Sequence, residues 1–236
     1  MVSGGGVTDN GSANDSAIIT PDNSNDSASI TRSTADEIAR LRRRFDNHTP
    51  GLLGANREYA VLCPLIDGPE GPELLYEVRA AGIRQGGETC FPGGRLESGE
   101  TPIECALRET EEELSIPRRF IEILGRMDFI CNQRGFLLHP VAGYVSADGL
   151  RYLRPSPSEV AETFSVPLRF FREHKPKLYS YALTPNPPAN FPYDTVGVSP
   201  DYPWAMGRVE VPVWTWRGRA IWGMTARITA HFVENL

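Results

Sequence analysis

Glu109, Glu112 and Glu113 lie three and four residues apart along the chain. On an α-helix that spacing gathers side chains on one face, where like charges repel by roughly 0.2–0.5 kcal/mol per pair when exposed. In a cleft the repulsion is stronger. A hard divalent cation offsets it, and carboxylate oxygens are the ligands that Mg²⁺ or Mn²⁺ prefers. The competing interpretation is a solvated acidic helix face. Against it stand the Phe91-Pro92-Gly93-Gly94 turn just upstream, Glu100, and the Arg108-Glu109 pair, all within a short stretch of the three acids.

The element that must present these acids reads as a helix. Thr101 is a capping residue, Pro102 suits the first helical position, and Glu104 falls three after the cap, as in a capping box. The helix is expected to run to about Leu114, because Pro117 cannot continue it. At roughly 100° per residue, Ile103, Ala106, Leu107, Thr110 and Leu114 share an apolar face opposite the acids.

The stretch GRLESGETPIECALRETEEELSI, Gly94 to Ile116, resembles the Nudix box, the signature of the Nudix hydrolases. Gly94, Glu100, Arg108-Glu109, Glu112-Glu113 and Ile116 fall at its spacings. Thr110 and Ser115 depart from it, standing where the pattern has an aliphatic residue and a Gly. The resemblance implies an α/β fold, an α/β/α sandwich with a mixed β-sheet. It also implies hydrolysis of a diphosphate linked to another group, with Mg²⁺ or Mn²⁺ as cofactor. Carried over by position, Glu109 and Glu113 are the main metal ligands, Glu112 joins when further ions bind, and the Gly93 carbonyl adds an oxygen. Gly94 admits the backbone to the metal. Glu100 and Arg108 form a salt bridge that is structural. A loop after the box supplies a further Glu as ligand or general base. Glu159 and Glu162 are its candidates, each equally readable as a surface charge.

A second resemblance lies upstream. LLYEVRAAGIRQGGETCFPGG, Leu74 to Gly94, is similar to the signature of the coenzyme A diphosphatase branch, as is IWGMTARI near the C-terminus. Arg79, Gly87 and Phe91 to Gly94 match. Gln85 and Glu88 depart from the common His and Gln, and the loop is a residue shorter than in some members. This resemblance implies cleavage of coenzyme A to 3′,5′-ADP and 4′-phosphopantetheine. Arg79 and Arg84 are the phosphate-binding candidates, since a guanidinium recognises phosphate in bidentate fashion. The alternatives are a Nudix hydrolase of ADP-ribose, NADH or another nucleoside diphosphate derivative, and an inactive nucleotide-binding module. Retention of all three box glutamates argues against the last.

The 236 residues suit one domain with extensions. The net charge of −6 and the lack of a long basic block argue against a nucleic-acid groove, with Arg42-Arg43-Arg44 the longest basic run. The four cysteines show no metal-site spacing, which suits reduced thiols in a cytoplasmic protein. No apolar run approaches the ~20 residues that span a membrane. The expected partner is a small-molecule substrate, the expected state a monomer or homodimer.

Residues 1–32 lack Leu and aromatic residues and are expected to form a disordered tail. Residues 33–57 are expected to be a helix, capped by Thr34, and a linker. Residues 58–236 are the expected catalytic domain. Within it, Glu58–Ile66 and Leu74–Arg79 read as a hairpin, and Arg119–Ile130 and Leu137–Val145 as further strands. Val209–Trp216 is another, Ala220–Gly223 closes the sheet, and a final helix follows Thr225. Residues 172–207 read as a long loop or lid whose Tyr179, Tyr181, Phe191 and Trp204 either line a substrate pocket or cover an apolar patch.

Overall fold

The computed structural model describes residues 27–51, 53–54, 57–132 and 135–235, with side chains from residue 34 onward. The chain divides into two compact units, residues 1–52 and 53–236. In the first, helix α1 spans Ser27–Asp46 and leaves Ile38, Leu41 and Phe45 exposed. It begins well before Thr34, so the expected tail is partly helical. Ser and Thr disfavour helix interiors only mildly. Residues 1–26 of that expected tail lie outside the described residues.

The second unit opens with strands β1 (Arg57–Gly68), β2 (Gly71–Arg79), β3 (Thr89–Cys90) and β4 (Gly93–Arg95), followed by helix α2 (Pro102–Leu114). Next come β5 (Ile121–Arg126), β6 (Ile130–Asn132), β7 (Phe136–Val145), α3 (Ala147–Leu150), β8 (Val160–Pro167) and α4 (Leu168–Glu173). The chain ends with β9 (Lys177–Leu183), α5 (Tyr193–Val196), β10 (Gly207–Trp216), β11 (Arg219–Trp222) and α6 (Gly223–Glu234).

The main sheet is mixed, in the order β3-β2-β1-β7-β5, with β4, β6 and β8 added on β1, β7 and β2. Strands β1 and β2 form the antiparallel hairpin, and β1 runs parallel to β7 from Arg57↔Phe136 to Ile66↔Val145. Alternation along the strands splits the core between the two faces. Leu62 and Leu75 pack with Ala106, Leu114, Ile116 and Val141 under α2. Cys63, Leu74 and Tyr76 pack with Phe91, Phe171, Trp214 and Phe232 under α4, α6 and β10. Helices therefore cover both faces of a mixed sheet, the expected sandwich.

Two readings of the sequence need correction. Residues 172–207 are not one loop: β9 pairs antiparallel with β10 from Lys177↔Val213 to Leu183↔Gly207. Six of its seven residues are exposed, so burial left no alternation to read and backbone pairing alone makes the strand. Strand β11 does not close the main sheet but joins β10 and β9 in a separate three-stranded sheet. Residues 160–167, which include the candidate Glu162, form β8 along β2. No helix among the described residues is long and apolar enough to cross a membrane.

Candidate functional site

Helix α2 starts as its sequence dictates. Thr101 Oγ1 accepts from the Glu104 amide at 3.3 Å, and Glu104 Oε2 accepts from the Thr101 amide at 2.8 Å, a complete capping box. The apolar face is buried, with Thr110 among it. Its hydroxyl donates to the Ala106 carbonyl at 2.6 Å, so a polar residue at an aliphatic position leaves no donor unsatisfied. The helix ends at Ser115, which takes a left-handed conformation (φ 59°) and donates through Oγ to the Arg154 carbonyl at 2.9 Å.

Glu113 is 5% exposed and projects toward Gly93 and Gly94 of β4, not a turn as expected but a short strand paired with β1. The Gly93 amide donates to its Oε2 at 2.8 Å. Strand β4 is clamped between β1 and α2. A Cβ on Gly93 would strike the Ala60 backbone, and one on Gly94 would strike the Glu109 carboxylate. Gly93 therefore requires glycine for space alone, whereas a side chain at Gly94 would displace the Glu109 carboxylate.

Arg108 organises the rest of the acidic face. Its Nε and Nη2 donate to the two oxygens of Glu100 at 2.9 and 3.0 Å, a bidentate pair. Its Nη1 donates to Glu109 at 2.8 Å and to Glu112 at 3.0 Å. The bonds from Arg108, with one from the Glu97 amide, hold the Glu100 carboxyl down at about 2. The guanidinium thus supplies the counter-charge on the outer side of the face. Glu112 stays largely exposed.

On the inner side the balance reverses. Burial pushes the Glu109 and Glu113 carboxyls above the usual range, and neighbouring carboxylates push further. Those neighbours include Glu159 for both. Glu159 sits just before β8, where its carbonyl accepts from the Ala80 amide at 2.8 Å. Glu162 is engaged elsewhere. Both its oxygens accept from Arg219 on β11, at 3.0 and 2.8 Å, and this pair lowers its pKa. The structure therefore brings Glu159, not Glu162, toward the helix carboxylates.

Sequence reasoning missed Glu77. It lies on β2, is 1% exposed, and raises the pKa of Glu113 more than any other charged neighbour does. A single Glu inside the otherwise apolar LLYEV run was the available signal. Arg79, two residues on, is half-buried, lowers the Glu77 pKa through its charge, and donates from Nε to the Arg84 carbonyl at 3.2 Å. The Arg84 side chain is exposed.

The aromatic residues of the former loop pack on one another. Phe191 meets Trp204 edge-on at 5.3 Å, whereas Tyr179 and Tyr181 are exposed. A cavity of about 620 Å³ lies between α4, β10 and α6, lined by Trp214, Arg227 and His231 among others. None of the acidic residues above lines it, so its size does not make it the chemical centre.

Among the described residues no three carboxylate, thiol or imidazole groups are already drawn together around one point as metal ligands. Arg108 gives a physical reason, since it holds Glu109 and Glu112 to itself. The donor chemistry nevertheless suits a hard cation. Carboxylates that burial and mutual repulsion keep from ionising are stabilised by a divalent charge. One buried oxygen, Glu77 Oε2, has no hydrogen-bond partner.

The family model described as "NUDIX domain" matches residues 56–175. The chain is 38% identical over 117 residues to "Nudix hydrolase 3" of Caenorhabditis elegans, covering 48% of this chain and 49% of that protein. It is 36% identical over 135 residues to "Uncharacterized Nudix hydrolase NudL" of Photorhabdus laumondii, covering 56% of this chain and 71% of that one. The match thus spans about half the length of the worm relative. Among solved structures, a Nudix hydrolase from M. smegmatis, RenU, aligns with a TM-score of 0.43 at 22% identity, over 49% of this chain and 73% of its own.

Proposed function

The chain belongs to the Nudix family, and on that premise we propose that it is a metal-dependent pyrophosphohydrolase acting on the diphosphate of coenzyme A or its derivatives. The products are 3′,5′-ADP and 4′-phosphopantetheine, or its acylated form. The observation that carries the reading is the placement of Glu109 and Glu113 on α2 beside Gly93 and Gly94 of β4, with Glu159 in electrostatic reach, where carboxylates repel one another in a buried setting. Glu109 and Glu113, with Glu112 at the rim, would hold Mg²⁺ or Mn²⁺. Bound there, such an ion neutralises diphosphate charge, orients its oxygens and lowers the pKa of bound water.

The chain's own residues supply the rest. Glu159 is the general base in this reading, because Glu162 is already paired with Arg219. Arg79 and Arg84 supply phosphate contacts, and Arg79 already borders the acidic set. Arg108 and Glu100 hold the loop to the helix and do not bind the ion first-hand. The coenzyme A assignment rests on the Leu74–Gly94 resemblance, and its departures at Gln85 and Glu88 are where it is most exposed to test.

Purified protein incubated in parallel with coenzyme A, ADP-ribose and NADH, with Mg²⁺ or Mn²⁺ and with chelator, tests the reading by product chromatography. Metal-dependent 3′,5′-ADP from coenzyme A, well above turnover of the others, is expected. Faster ADP-ribose cleavage would discard the substrate and keep the chemistry. Glu113→Gln should lower turnover by at least about 100-fold while the circular dichroism spectrum is unchanged. Near-normal turnover at saturating Mg²⁺ would remove Glu113 from the metal site.

A further inference from the structure

We propose that Glu77 is a further metal-binding carboxylate, delivered to the acidic set from strand β2 rather than from helix α2. The inference deepens the metal-site reading above and rests on it.

The placement follows from strand geometry. Residues alternate between the faces of a sheet. Tyr76 points into the core under α4 and α6, and Leu75 into the core under α2. Glu77 shares the face of Leu75, so its side chain lies on the side where α2 presents Glu113. Its neighbours fix its height. Register pairs it with Cys90 on β3 and Thr163 on β8, and Cys90 leads directly through Phe91-Pro92 to Gly93. The Gly93 amide that donates to Glu113 is therefore three residues from the residue paired with Glu77.

A purely structural Glu in this position would have both oxygens satisfied, because a buried carboxylate without partners is costly. Glu77 has one partner. Cys90 Sγ donates to Oε1 at 3.2 Å, and Oε2 is buried with no hydrogen bond. The free oxygen lies among carboxylates, with Glu113, Glu109 and Glu159 all in electrostatic reach. Arg79 is the cation that acts on Glu77, and Arg108 reaches Glu109 from the outer side. A carboxylate held through one oxygen by Cys90, with its second oxygen buried and without a hydrogen bond and other acids in electrostatic reach, matches what a hard cation requires. The thiol then acts as an outer partner that orients the ligand, the role outer hydrogen bonds play at metal sites.

The test is Mn²⁺ affinity of the full chain, read by the electron paramagnetic resonance signal of free Mn²⁺ and by the Mn²⁺-induced rise in Tm. Glu77→Gln keeps the shape and removes the charge. It should raise the Mn²⁺ Kd by about 10-fold or more and shrink the Mn²⁺-induced rise in Tm. Wild-type affinity in Glu77→Gln would overturn the assignment. Should that variant not fold, Glu77→Asp carries the test, since the same charge drawn back by one methylene should also raise Kd, and unchanged Kd overturns the proposal. The outcomes separate from those of the function itself. Wild-type protein that binds Mn²⁺ but cleaves none of the three substrates sinks the hydrolase reading, and the Kd of Glu77→Gln still decides Glu77. Wild-type protein that binds no Mn²⁺ overturns both.

Discussion

Tyr76 and Glu77 are adjacent in the chain, and the two faces of the sheet treat them in opposite ways. On the α6 face Tyr76 is fully buried and its hydroxyl shares a 2.8 Å hydrogen bond with Thr229, whose own hydroxyl donates to the Thr225 carbonyl at 2.9 Å. The ring stacks on Phe91 at 4.7 Å and Phe164 at 5.5 Å. Every polar atom in that small network has a partner, and aromatic surface fills the rest. On the α2 face Glu77 is as deeply buried, yet one oxygen has no partner and the nearest charges are mostly of its own sign. One face is optimised for stability. The other sets carboxylates within reach of one another in a buried setting, where burial and mutual repulsion disfavour their charged forms. Stored repulsion of this kind marks sites where function outweighs folding.

The comparison can be broken in three ways. The largest effect is expected on the satisfied face. Phe171 is buried against Tyr76 and Trp214, so Phe171→Ala should cost about 3–5 kcal/mol of stability by chemical denaturation. Mn²⁺ affinity of the molecules that remain folded should be unchanged. A matching loss of Mn²⁺ binding would show that the faces are not independent.

The second effect is a pH dependence confined to the acidic face. Burial raises the Glu113 and Glu77 carboxyls, Glu113 to about 9, while the unfolded chain ionises them in the ordinary range. Between about pH 5 and pH 9 the folded state therefore binds more protons than the unfolded one, and stability must fall as pH rises. Glu100, held low by Arg108, titrates below this window and does not oppose the trend. Chelator-treated protein should melt at progressively lower temperature across the window, and Mg²⁺ should raise Tm more at the alkaline end. A flat profile without metal would mean that the acidic face carries no stored repulsion.

The smallest effect is Tyr76→Phe. It removes one hydrogen bond from a network that otherwise survives, so about 0.5–1.5 kcal/mol should be lost. The loss should be the same at both ends of that pH range, because burial holds the Tyr76 hydroxyl protonated well above it. A pH-dependent loss would couple the two faces through β2.

Much of this protein was fixed by local sequence. The capping box at Thr101, the stop near Pro117 and the acids at three- and four-residue spacing are all properties of a few consecutive residues, and they determine helix α2 and its acidic face. Local signals failed where the cause was distant. Strand β9 exists because β10 pairs with it, and β8 because β2 does, so neither carries its own pattern of burial. Glu162 and Glu159 stand three residues apart with equal claims in the sequence. Only the approach of Arg219, 57 residues downstream, separates them. Glu77 looked like a single interruption in an apolar strand, and the packing of α2 on that face of the sheet brought it within electrostatic reach of Glu109 and Glu113. Residue type and spacing determined which chemistry the chain carries. Which carboxylates share it was decided by contacts across the sheet, because electrostatic coupling depends on distance in space and not along the chain.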